Sequence, residues 1–205
     1  MSSCPLDRRA FLLSVSAIAL LPLGAHGTPA GVVGPATAAD TPGDSLYRLT
    51  AALVDHEGRP FDLASLRGKP VLASMFYTSC EMVCPMIFDT IRWTLDALPA
   101  SERRDVRVLM VTFDPARDSV DALRKAASAH GCDAQWTLAR CNDDTVRKIS
   151  AVLGIQYRRL ASGEFNHSST IDLLDRQGRI AARSGKLGTV DPALLKALRQ
   201  ASAAT

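Results

Sequence analysis

Two largely apolar runs, Val71 to Tyr77 broken only by Ser74 and Val106 to Phe113 broken only by Arg107 and Thr112, constrain this chain more than any other feature. Neither alternates with polar residues, so neither suits a strand with one wet face. Each suits a strand covered on both faces, as in a parallel sheet. Between them, Ile87 to Leu98 carries apolar residues at helical spacing, and Pro85 stands where a first helical turn tolerates it. Ser119 to His130, capped by Gly131, and Asp143 to Leu153, stopped by Gly154, read as two more helices on either side of a short strand, Trp136 to Ala139. Leu46 to Val54 reads as a strand that turns at Asp55-His56-Glu57-Gly58 toward Phe61 to Leu66. Thr170 to Asp175 and Ile180 to Arg183 flank Arg176-Gln177-Gly178-Arg179 as a hairpin, and Pro192 to Ala201 is the last helix. Alternating strand and helix followed by an antiparallel hairpin predicts an α/β domain with a central mixed sheet flanked by helices.

Residues 1–39 are of a different kind. Arg8 and Arg9 stand just before Phe11 to Leu23, a run interrupted only by serines and Pro22. Its length fits a signal-peptide core and is short for a spanning helix. Ala36-Thr37-Ala38 or the overlapping Thr37-Ala38-Ala39 fits a signal-peptidase site, with Ala25-His26-Gly27 a second candidate. Paired arginines before Phe-Leu resemble a twin-arginine signal. Asp7 replaces its usual Ser or Thr, and Leu13 its frequent Lys. Either an export signal or an uncleaved N-terminal anchor puts the domain at 40–205 outside the cytoplasm, in the periplasm or its equivalent. Asp40 to Ser45 reads as a linker. The formal net charge of +3, with scattered basic residues and only two Trp, three Tyr and six Phe, argues against nucleic acid as a partner.

Of five cysteines, Cys4 falls in the leader. The other four sit in a domain bound for a compartment where disulfides persist. Cys80-Glu81-Met82-Val83-Cys84-Pro85 lies between the first buried run and its helix. Spacing of four puts both sulfurs on one face once the helix winds, where free N–H groups and the helix dipole favour thiolates. Two thiols so placed bind a soft metal, exchange disulfides, or form a structural pair. Thioredoxin-type oxidoreductases place two residues between the cysteines; here there are three. Two sulfurs joined by one imidazole would give a three-coordinate site that suits Cu(I), whereas structural zinc takes four closed ligands.

Three blocks carry a resemblance: Phe76 to Pro85, Val111 to Ser119 and Phe165 to Asp175 are similar, in order and spacing, to the Sco/SenC family. The similarity spans roughly Leu46 to Leu198. It implies a thioredoxin-like fold, and copper held by Cys80, Cys84 and the distant His167. It also implies a role in assembling the binuclear copper centre of cytochrome c oxidase, as copper donor, as thiol reductant, or both. The partner would be the copper-bearing oxidase subunit or another periplasmic cuproprotein. Where the family usually has Pro-Asp after the first cysteine, this chain has Glu81-Met82, which moves the acidic residue and adds a thioether.

The remaining candidates are weaker. His167 opens a predicted strand after the loop containing Gly163. His56, in a turn, and His130, near a helix C-terminus that favours an imidazolium, read as structural. Asp114 and Asp118 follow the second buried strand and either tune the site, bind a partner or cap the next helix. Met75 and Met86 read as core, while Met82 lies inside the loop. Cys132 and Cys141 flank a predicted strand and form a disulfide only if that segment doubles back. A copper carrier is the first functional reading. A thiol–disulfide oxidoreductase, with Cys80 attacking and Cys84 resolving, is the second. Peroxide reduction lacks the threonine–cysteine spacing such enzymes use.

Overall fold

The computed structural model describes residues 43–203, so the leader with Cys4 and His26 lies outside the described residues. The strands are β1 (Ala52–Asp55), β2 (Pro60–Asp62), β3 (Val71–Phe76), β4 (Arg107–Thr112), β5 (Trp136–Arg140), β6 (Tyr157–Arg159), β7 (Phe165–His167), β8 (Ile171–Leu174) and β9 (Ile180–Ser184). The helices are α1 (Val83–Asp96), the short α2 (Ala100–Arg103), α3 (Val120–Ala129), α4 (Asp143–Leu153) and α5 (Pro192–Ala203). Seven strands form one sheet in the order β2-β1-β5-β4-β3-β8-β9. β3, β4 and β5 run parallel, while β1, β2, β8 and β9 join antiparallel, so the sheet is mixed as expected.

Every residue of β3 is buried, and all of β4 after Arg107. Because successive side chains point to opposite faces, burial of the whole run means that both faces of the sheet are covered. Phe88 of α1 packs edge-on against Phe76 and stacks on Trp136, which seats α1 over β3 and β5. Local signals end the helices where the sequence implies. Ser119 accepts from the Ala122 N–H at the start of α3, Asn142 does so for Thr145 in α4, and Gly154 closes α4 at φ +64°.

Two expectations need correction. Leu46–Arg48 is a 3-10 turn rather than strand, and β1 begins only at Ala52. Leu46 and Tyr47 are buried because the Leu46 N–H donates to the Gly178 carbonyl at the far hairpin, at 2.9 Å. Second, β6 and β7 form a separate two-stranded ribbon, which the sequence did not disclose. His167 therefore ends β7 instead of opening the strand that follows, which starts at Ile171. The pairing left open for Cys132 and Cys141 does not occur: they are free thiols at opposite ends of an extended β5, which does not double back. Burial raises both of their pKa values to about 12.

Candidate metal centre

β3 delivers Cys80. The strand ends at Phe76, and the chain turns so that the Cys80 N–H donates to the Tyr77 carbonyl at 3.3 Å. α1 then begins without a conventional side-chain cap at Met82. The Cys80 sulfur substitutes, accepting the Cys84 N–H at 3.3 Å, so the loop and the first turn of the helix are fastened by one of the thiols. Asp118, almost fully buried, holds the loop from behind. It accepts from the Thr78 N–H at 3.1 Å, from the Thr78 hydroxyl and from the Thr112 hydroxyl. Asp118 is thus a positioning residue for the loop, and Ser119, not an aspartate, caps α3.

The distant histidine arrives through sheet topology. β8 runs antiparallel to β3, pairing Leu72 with Leu173 and Ala73 with Asp172. Residues just before β8 therefore lie beside the carboxyl end of β3, and the Ser74 hydroxyl donates to the Thr170 carbonyl at 2.6 Å to fix that approach. The preceding ribbon pairs Tyr157 with His167 and Arg159 with Phe165. Aromatic side chains at the ends of the two buried runs hold it. Tyr77 and Phe113 lie 5.1 and 4.9 Å from Phe165, and 6.0 and 4.9 Å from the His167 ring, centroid to centroid. Two polar ties add to them: Tyr77 donates to Glu164, and Arg117, paired with buried Asp114, donates to the Gly163 carbonyl at 2.7 Å. Asp114 and Arg117 serve the ribbon, and neither belongs to the Cys80, Cys84 and His167 group. The aromatic wall and the Arg117 tie escaped the sequence reading, although Tyr77 and Phe113 were visible as the last residues of the apolar runs.

The result brings one ligand atom each of Cys80, Cys84 and His167 within 4.8 Å of one another. No other group of three or more His, Cys, Asp or Glu among the described residues is so placed. Cys84 is buried and Cys80 and His167 are half-buried at a cleft of about 470 Å³, whose lining includes Tyr77, Glu81, Met82 and Phe165. Burial opposes ionisation of Cys80. Hydrogen bonds from the Cys84 thiol and from the N–H groups of Cys84, Met82 and Val83 outweigh it and hold the Cys80 pKa below the usual thiol range. Burial, with the bond given to Cys80, pushes Cys84 up. His167 Nδ1–H donates to the Ser168 carbonyl at 3.1 Å, which leaves the lone pair on Nε2. Two soft sulfurs and one oriented imidazole fit a three-coordinate Cu(I) ion better than the four-ligand zinc sites.

His56 and His130, the other histidines among the described residues, have partners away from the cluster. His56 Nδ1 accepts the Leu138 N–H at 3.2 Å. His130 stacks on Phe88 at 4.0 Å, and burial lowers its pKa, opposing the imidazolium that its helix-end position favours.

The SCO1/SenC family model matches residues 41–201. A Stutzerimonas stutzeri protein named for copper binding is 26% identical over 132 residues, 62% of this chain and 64% of that protein, so the match spans less than two-thirds of the relative's length. Bradyrhizobium japonicum ScoI, solved with copper bound, superimposes with a TM-score of 0.63 at 23% identity, covering 73% of this chain and 96% of that one. BsSco belongs to the Sco family of cytochrome c oxidase assembly proteins and is one in which a disulfide switch was identified. It gives a TM-score of 0.64 at 20% identity over 75% of this chain and 92% of its own. At these identities the two structures establish the thioredoxin-like fold, and the family match over most of the chain establishes kinship: the chain belongs to the SCO1/SenC family.

Proposed function

We propose that this protein is an extracytoplasmic copper carrier. It takes one copper ion on Cys80, Cys84 and His167 and assists assembly of the binuclear copper site of cytochrome c oxidase. The observation that carries the reading is the convergence of the three ligand atoms within 4.8 Å, from a loop and a ribbon far apart in sequence. The donor set favours a soft monovalent ion. The copper-bound relative and the oxidase-assembly family of BsSco point to the same cargo and client. The client is the copper-bearing oxidase subunit or another periplasmic cuproprotein. Purified protein loaded with Cu(I) should hold one copper per chain, and the Cys80→Ser and Cys84→Ser variants none. Full copper content in either variant would overturn the reading.

Residues 1–39 act as the export leader or an anchor. No helix among the described residues is long and apolar enough to cross a membrane. Mass spectrometry of the exported protein should place the mature N-terminus between Thr28 and Asp40, and an intact leader would mean an anchor.

A second reading rests on the unequal exposure of the two sulfurs, Cys80 half-buried at the cleft and Cys84 buried behind it. The Cys80 thiolate would attack a client disulfide, forming a mixed disulfide and releasing one client thiolate. Cys84 would then displace the second client sulfur, leaving the client dithiol reduced and Cys80–Cys84 oxidised. Disulfide exchange needs no distant imidazole, so the His167 variant discussed below separates the two readings.

A further inference from the structure

The loop between the two cysteines holds a side chain that the ligand set leaves unused. Met82 immediately precedes α1 and is 77% exposed, more than any other large apolar side chain among the described residues. In water it forgoes the stabilisation that burying such a side chain contributes elsewhere. It lines the same cleft as Cys80 and His167. Its main chain forms the N-terminal boundary of α1, in the turn where the Cys84 N–H donates to the Cys80 sulfur. The side chain beyond is unbranched, with three rotatable bonds.

The geometry points to Met82 as an entry ligand: a thioether at the cleft mouth that receives a Cu(I) ion from an incoming donor, passes it to Cys80, Cys84 and His167, and takes it up again on release. This rests on the copper reading above. A thioether is a soft donor that selects Cu(I), and a three-coordinate ion has room for a transient fourth ligand. The step is a ligand exchange. The Met82 sulfur donates a lone pair to copper as one bond to the donor breaks, and a cysteine sulfur later displaces Met82. Copper stays monovalent and no electron moves; the thioether has no proton to lose, and the Cys84 thiol releases its proton to water as its sulfur takes the copper. Met86, one turn on and 42% exposed, does not line the cleft, and its methyl lies beside Gly188, so it serves as the control.

The test is stopped-flow transfer of Cu(I) between the full-length protein and a bathocuproine chelator, in both directions, alongside equilibrium competition. Met82→Leu keeps the shape and removes the donor. It should slow transfer both ways by about fivefold to tenfold while changing equilibrium affinity by no more than about twofold. Met82→His should restore the rate, and Met86→Leu should match wild type. Wild-type rates in Met82→Leu, or a Met82→His variant as slow as Met82→Leu, would overturn the assignment. So would a large affinity loss at an unchanged rate, because Met82 would then be a resident ligand. A wild-type protein that binds no copper would instead overturn the carrier reading, so the two failures are distinguishable.

Discussion

On the copper-carrier reading, His167 bears on copper far more than on the dithiol, because its ring would serve the site only as a donor while the thiols are governed by the turn that carries them. Removing it leaves two sulfurs and an open position, tolerable for Cu(I) and poor for Cu(II). The His167→Ala variant should therefore lose copper affinity, most visibly for Cu(II). The reduction potential of the Cys80–Cys84 pair depends on N–H bonds to Cys80 and on burial of Cys84, both local to the loop. A shift beyond about 30 mV, about 1.4 kcal/mol for a two-electron couple, is not expected. Copper competition and redox titration on the same variant check both halves. Unchanged copper affinity with a large redox shift would promote the oxidoreductase reading. The identities of these residues were legible in the sequence, since each stands in a motif block. Their polar supports were not: Asp118 was visible as an aspartate after a strand, but its hydrogen bonds to Thr78 and Thr112 exist only once β3 and β4 lie side by side.

Among the elements, the β6–β7 ribbon was the hardest to foresee. Tyr157-Arg158-Arg159 has neither a run of apolar residues nor an alternation long enough to announce a strand, and its support comes from Tyr77 and Phe113, distant in sequence. β3, α1 and α4 were legible because their signals are local: a continuous apolar run, helical spacing, a cap and a glycine. The Arg117 tie makes the ribbon testable. Arg117→Lys keeps a positive charge near Asp114 but cannot also span to the Gly163 carbonyl. Copper affinity should fall about fivefold, the equivalent of one net hydrogen bond, with little change in thermal stability. An unaffected affinity would mean that the aromatic wall alone positions His167. The β1–β2 hairpin offers a pH test. Burial raises the Asp55 pKa, but bonds from the Arg59 and Glu57 N–H groups and the Arg59 guanidinium outweigh it and leave the carboxyl below its usual value. A native pKa below the unfolded one means fewer protons bound when folded. The stabilisation is full above the unfolded carboxylate range, near pH 4, and is lost as pH falls through the native value. Asp55→Asn should destabilise the protein at pH 7 and flatten the acid limb of a stability–pH curve; an acid limb as steep as wild type would contradict this.

Across the whole molecule, the chain is closed near its two ends by one glycine. Gly178, at φ +81° in the β8–β9 turn, accepts from Leu46, and a Cβ there would meet the Tyr47 ring at 2.5 Å. Gly178→Ala meets both an unfavourable backbone region and a buried ring. It should cost about 2–3 kcal/mol, read by chemical denaturation, with copper stoichiometry intact in the folded fraction. A cost under about 0.5 kcal/mol would show that Tyr47 yields easily. That closure was not legible, because it joins residues more than a hundred positions apart, whereas the order of layers followed from the burial pattern of β3 and β4 alone. On the copper-carrier reading, one feature of the architecture bears on how long cargo would stay. The two sulfurs ride on the central scaffold, but the imidazole rides on a two-stranded ribbon that shares no ladder with the seven-stranded sheet. Small peripheral units open at a fraction of the free energy that unfolds a core. A metal held by these three residues would then have a residence time uncoupled from the lifetime of the fold: a grip that loosens by lifting one finger leaves the hand intact.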